Sequence, residues 1–353
     1  MKLADVILLR ARHLSPGGFA LVMATGIVSI DVDQHGMHAL ALALLAVNVL
    51  AWLVLLALTL LRLLRFRVAL IADFVDPGRG AGFLTLAAGT CVLGSQCLTV
   101  VHLPMLARGL ALLGALSWSV LIYLFFAATI TARIKPGFTR SINGGWLVAV
   151  VATQALAVVM VLLLADSPGA SGGWLFGALC LYLLGAALYL LIITLVVYRL
   201  VFFPLRAREF SPPYWINMGA LAITTLAGSL IVLQAPASGP LADLMPFVKG
   251  FTLFFWATAT WWIPLLILLE LWRHAWRHVP LHYEADDWDI VFPLGMYTVG
   301  TYELANALHL DYLQRIPAIG VYISLAVWLL VATGAVRRWS RTLAADRQHH
   351  GLR

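Results

Sequence analysis

Charge is scarce in this sequence. Asp, Glu, Lys and Arg make up 11% of its 353 residues, where a soluble domain carries about 25%. That supply cannot cover a water-facing surface, so a soluble globular protein is excluded. Cysteine is nearly absent. Cys91, Cys97 and Cys180 all fall inside apolar stretches, which leaves no disulfide framework and no paired-cysteine metal motif. Long polar segments are missing, and with them the extramembrane domain that a receptor would need. No nucleophile–base pair, phosphate loop or metal-ligand motif occurs within the apolar stretches, which argues against an integral membrane enzyme. No cofactor and no metal are expected. The N-terminal MKLADVILLRARH has a short apolar run and no small-residue cleavage site. It reads as an interfacial helix, not a signal peptide.

What is present is apolar surface, at 62% of residues. It falls into ten stretches, at 16–34, 39–63, 80–101, 106–132, 145–165, 173–203, 213–235, 246–276, 288–309 and 316–338. A membrane span needs about 20 apolar residues, so ten spans are expected. Their ends alternate in charge. Arg62, Arg65 and Arg67 follow the second stretch, Arg133, Lys135 and Arg140 the fourth, and Arg199, Arg206 and Arg208 the sixth. Arg273 and Arg277 follow the eighth, and Arg337, Arg338 and Arg341 the tenth. Only Arg108, Lys249 and Arg315 of the 23 basic residues fall on the other side. Basic residues collect in cytoplasmic loops. The expected protein is therefore multi-pass in the cell (inner) membrane, with both termini cytoplasmic. It divides into an interfacial segment (1–15), a transmembrane domain (16–338) and a tail (339–353). The net charge of +7 follows from this topology and does not point to nucleic acid.

The spans are of two kinds. Even-numbered ones are smooth and Leu-rich, such as ALALLAVNVLAWLVLLALTLL. Odd-numbered ones carry small and polar residues, as in FALVMATGIVSI, FLTLAAGTCVLGSQ, INMGALAITTLAGS and FPLGMYTVGTYELANA. Gly, Ser and Thr allow close helix approach inside a bundle and serve no purpose against lipid. The alternation repeats five times, and predicts five helical hairpins with odd helices inside, around a central pore. Thr25, Ser29, Thr85, Thr90, Thr224, Thr225 and Thr298 are the candidate neutral donors along that path. Gly26, Gly89 and Gly228 are candidate kink positions on the same helices.

The ninth span begins Trp288-Asp289-Ile290-Val291-Phe292-Pro293-Leu294-Gly295-Met296. Pro293 removes an N–H and frees a carbonyl one turn earlier. Phe292 beside such a kink either packs between helices or projects into a lumen, where an apolar ring gates by excluding water. Glu303 is read as the only carboxylate well inside a span. It is either a proton relay or a structurally bonded acid. Arg79 lies before the third span, where it either draws anions to an inner mouth or sits as an interfacial arginine. His274, His278 and His282 recur at four-residue spacing, but Pro280 interrupts the helix between them.

These residues carry a family resemblance. GGFALVMATGIVS, DPGRGAGFLTLAAGT, YWINMGALAITTLAG and W-x-x-x-FPLGMYT, in this order, resemble the tellurite-resistance/dicarboxylate transporter family. That family includes yeast malic-acid and sulfite transporters and plant slow anion channels. The resemblance covers nearly the whole chain. It implies ten helices in five hairpins, a central pore for small inorganic or organic anions, and a homotrimer in the lipid bilayer. It also implies an occluding Phe, matched by Phe292. Both an anion channel and a proton-coupled carrier for acids such as malate, or for sulfite, are consistent with it.

Overall fold

The computed structural model describes residues 3–166, 172–236 and 238–350. Most of the DSPGASGG loop and the last three residues of the tail lie outside them. Every element among the described residues is helical. Helix α1 (Leu3–Arg12) is the expected N-terminal helix, and it packs on a later, longer helix. Two sets of longer helices then alternate. Helices α2 (Ala20–Gln34), α5 (Thr85–Thr99), α8 (Val148–Ala165), α10 (Ile216–Leu233) and α12 (Trp288–Leu308) are buried over most of their lengths. Helices α3 (His38–Arg65), α6 (Pro104–Thr131), α9 (Gly172–Phe202), α11 (Pro240–Leu271) and α13 (Arg315–His350) expose Leu, Val and aromatic side chains. Two short helices, α4 (Arg67–Val75) and α7 (Phe138–Ser141), lie in the connections after α3 and α6.

Composition explains the division. The smooth Leu-rich stretches have few polar groups to hide, so lipid can cover most of their surface. The small and hydroxylated stretches became the buried set. These five pack in a closed ring, α2 on α5, α5 on α8, α8 on α10, α10 on α12, and α12 back on α2. Each outer helix packs on the inner helix that precedes it in sequence. Glycine makes some of these contacts tight. A Cβ at Gly219 would lie 2.7 Å from Pro293 Cγ, and one at Gly300 would lie 2.8 Å from the Ala222 carbonyl oxygen. Thus α10 and α12 approach closely along two turns.

Among the described residues, eight helices are long and apolar enough to cross a membrane. The expectation was ten. The other two are α2, only 15 residues long, and α12, which carries Asp289 and Glu303. Both lie in the buried ring, where protein and not lipid surrounds them. Four inner helices are preceded by a 3-10 turn: Gly80–Leu84, Gly144–Leu147, Pro212–Trp215 and Ala285–Asp287. Glycine or proline in the first three turns, and a Glu284–Asp287 capping box in the fourth, bring the chain from a connection into the ring.

Candidate functional site: two cavities on the axis of the ring

Two cavities lie within the ring. The first is bordered by residues at the N-terminal ends of all five inner helices. They include Pro16 and Gly17, Arg79 and Thr85, Asn143 and Val148, Ser211 and Ile216, and Asp286 and Asp289. It offers about 220 Å³ to water centres. The second is bordered by three residues from each inner helix. These are Ile27, Ile30 and Gln34; Val92, Ser95 and Thr99; Ala155, Val158 and Leu162; Ile223, Leu226 and Leu230; and Met296, Val299 and Glu303. It offers about 50 Å³, room for a few waters. The three- and four-residue spacings put each trio on one helical face. The N-terminal ends of all five helices meet at one cavity and their C-terminal halves at the other. The five inner helices therefore run parallel.

The neck between the cavities is short. Thr85 and Val92, Val148 and Ala155, Ile216 and Ile223, and Asp289 and Met296 each stand seven residues apart. Seven residues rise about 10 Å. Midway lie Met23 and Ala24, Ala88 and Gly89, Val151 and Ala152, Gly219 and Ala220, and Phe292 and Pro293, all buried. Phe292 is the largest of them and is 1% exposed. On α12 it falls about 40° from Met296 around the helix, within the arc spanned by the cavity-lining residues of that helix. Pro293 turns toward Gly219. The carbonyl that Pro293 leaves without its helical donor belongs to Asp289, which borders the N-terminal cavity.

Most of the expected donors face away from this axis. Trp52 of α3 donates its indole N–H to Thr90 Oγ1 (3.0 Å), and Trp328 of α13 donates to Thr25 Oγ1 (3.1 Å). Trp118 of α6 and Trp256 of α11 donate likewise to Thr153 and Thr301. One pattern, an outer indole on an inner hydroxyl, thus links four of the five outer helices each to the inner helix that follows it around the ring. Ser29 donates to the Ala41 carbonyl of α3, and Thr224 and Thr225 donate to carbonyls one turn back. Thr298 donates to the Leu294 carbonyl and lies against Gly320 of α13. Gly26 faces Val92 and Asn48, Gly89 faces Phe19, and Gly228 faces Thr252 and Tyr182. Of these candidates only Thr85 borders a cavity. The C-terminal cavity is instead walled by aliphatic side chains and rimmed by Gln34, Ser95, Thr99 and Glu303.

Arg79 borders the N-terminal cavity as expected of a mouth residue, and pairs with Asp73 of α4. Asp73 also pairs with Arg62, whose guanidinium donates to the Leu14 carbonyl. Burial pushes the Asp286 carboxyl above its ordinary value, Glu284 adds to the rise, and Arg79 opposes it. Besides Glu303, which lies well inside α12 and is partly exposed, two acids nearer helix ends are buried. Asp31 is fully buried and accepts the Ser324 hydroxyl (2.7 Å), and Asp289 is nearly buried at the neck. Both stand close to helix ends in the sequence, where the approach of α13 and of the 3-10 turn before α12 covers them. Glu303 Oε1 accepts from the Gln34 amide (2.8 Å). His274 Nδ1 meets the Val279 carbonyl, and its Nε2 lies 3.2 Å from Glu270.

A closed ring of buried parallel helices, with two cavities in line and an outer layer suited to lipid, is the build of a membrane transport protein. The chain belongs to the SLAC1 family, described as voltage-dependent anion channel, which matches residues 13–336. This agrees with the tellurite-resistance/dicarboxylate transporter resemblance seen in its motifs. It is 41% identical over 167 residues to an uncharacterized membrane protein of Mycobacterium tuberculosis, covering 47% of this chain and 84% of that protein. It is 25% identical over 338 residues to an uncharacterized transporter of Methanocaldococcus jannaschii, covering 90% of each.

Proposed function

We propose that this protein carries small anions across the cell membrane along the axis of the inner ring, and that Phe292 closes the path at the Pro293 kink. On this reading all ten long helices span the bilayer as five hairpins around the pore. The N-terminal cavity is the cytoplasmic vestibule, and both termini are cytoplasmic. The observation that carries it is the neck. Two cavities on one axis are separated by about two turns of helix, and Phe292 is the largest side chain between them. Electrostatics supports an anion. Five parallel helix N-termini each present partial positive charge and free N–H groups to the vestibule. Arg79 adds a basic side chain at the same mouth. An aliphatic wall binds weakly, as fast passage requires. The test is current across a planar bilayer holding purified protein under a chloride gradient. Reversal at the chloride potential supports the reading.

A second reading is a proton-coupled carrier for malate, a similar organic acid, or sulfite. It is favoured by Glu303, a carboxylate on the wall of the C-terminal cavity. Absence of current, with proton-driven uptake into vesicles that Glu303→Gln abolishes, would select it. The family resemblance adds a homotrimer, which native-membrane mass measurement tests directly.

A further inference from the structure

The C-terminal cavity is bordered by buried oxygens that nothing among the described residues pairs. Ser95 borders it from α5, is 3% exposed, and its hydroxyl has no hydrogen-bond partner. Gln34 borders it from α2. Its amide N–H donates to Glu303 Oε1, which leaves Gln34 Oε1 buried and without a partner. Glu303 brings a carboxylate from α12. These three helices are consecutive in the ring. Unpaired buried oxygens are costly and call for an explanation. The amide cannot turn to relieve itself without facing its own oxygen toward the carboxylate. The surroundings add negative potential. Five helix C-termini converge at this end, each with partial negative charge, and no Lys or Arg lines the cavity.

We propose that this site binds a small monovalent metal cation of sodium size through Glu303, Gln34 Oε1 and Ser95 Oγ. The donor set is all oxygen, which selects a hard cation over a transition metal. One carboxylate balances one charge, and a divalent ion would be left with excess charge in an aliphatic chamber. The remaining space admits the few waters that complete a coordination shell. The site has a consequence for transport, and that part rests on the anion-pathway reading. A bare Glu303 repels an anion arriving from the neck, whereas a bound cation cancels that charge and lets the anion pass.

Binding is tested apart from transport. Purified protein is melted at fixed pH and ionic strength in the chlorides of sodium, lithium, potassium and choline, and sodium binding is measured by equilibrium dialysis with radiolabelled sodium. Chloride is common to all samples, so anion occupancy cancels. The expected result is saturable stabilisation by sodium over choline. Glu303→Gln and Ser95→Ala should each weaken sodium binding by about tenfold or more, since the first removes the balancing charge and the second a ligand oxygen. Glu303→Asp keeps the charge and should keep binding with an altered order among the alkali ions. Thr90→Val, off the axis, should bind as wild type. Equal melting in sodium and choline, or sodium binding that survives Glu303→Gln with Ser95→Ala, overturns the proposal. A protein that binds sodium yet passes no chloride would keep this site and remove the channel reading.

Discussion

Phe292→Ala should open the path. On the proposed reading the benzyl group fills the neck at the level where its neighbours are mostly small, with Ala24, Ala88, Gly89, Ala152, Gly219 and Ala220 on the other four helices. Removing it leaves a void on the order of three waters, in a neck about 10 Å long. The void would join the vestibule to the outer cavity and let water follow. Each 1.4 kcal/mol taken from the barrier is about tenfold in rate, and a wetted neck should lower the cost of passing an anion by at least that much. Chloride current in planar bilayers should therefore rise about tenfold or more. The fold should survive. Phe→Ala costs about 3–5 kcal/mol in a water-soluble core, but in a bilayer the unfolded helices remain in lipid, so chiefly the packing part is lost. Phe292→Leu should give an intermediate current. Wild-type current from folded, inserted Phe292→Ala protein would refute the reasoning and return Phe292 to helix packing.

Four further outcomes follow from the same geometry. Thr25→Val and Thr90→Val should each lower stability by about 0.6 kcal/mol, up to about 1.7, through the lost indole bonds. Neither should alter anion selectivity in the same bilayer recordings; a changed selectivity would put these hydroxyls on the path. Gly219→Leu should cost about 1–3 kcal/mol by overpacking, because its Cβ alone already meets Pro293, and chemical denaturation in detergent reads the loss. Acidifying the vestibule side should raise current. The raised Asp286 carboxyl loses its charge at higher pH than a free carboxylate does, and Asp286→Asn should flatten that limb of the pH profile. The same shift sets a stability sign. The folded state holds this proton more tightly than the unfolded chain does, so the contribution is full below the ordinary carboxylate range and fades as pH rises through the raised value. Melting of Asp286→Asn against wild type across acidic pH checks it.

The architecture was legible because lipid is a strict solvent. A helix that faces it shows an unbroken apolar run, as α3 and α6 do, and a helix that avoids it can afford Gly26 or Thr90. That contrast located the buried ring before any coordinates. The same signal could not orient the ring. Thr90 sits on a buried helix, but two buried faces compete for it, one toward the axis and one toward α3. Helical phase decides. The cavity-lining residues of α5 are Val92, Ser95 and Thr99, and Thr90 falls about 200° from Val92 around the helix. The missed clue was the tryptophans. Trp52, Trp118, Trp256 and Trp328 lie within smooth outer spans, where a buried indole N–H needs an acceptor. Each implied a partner hydroxyl facing outward. Asp31 and Asp289 lie close to helix ends, which is where tertiary cover is hardest to foresee.

Hydroxyls bonded to outer helices or to their own backbone leave the neck to hydrocarbon, and that shapes the selectivity expected of such a path. A donor-lined pore would hold a strongly hydrated anion by replacing its water. An aliphatic one offers no replacement, so each anion pays most of its own dehydration cost. With the vestibule charge acting alike on all monovalent anions, passage should then follow ease of dehydration. Once Phe292→Ala opens the neck, nitrate and iodide should pass more readily than chloride, and chloride more readily than fluoride. Reversal potentials under paired sodium salts give this order directly. A preference for fluoride would mean that polar groups reach the neck after all, and the hydroxyl placement described above would have to give way.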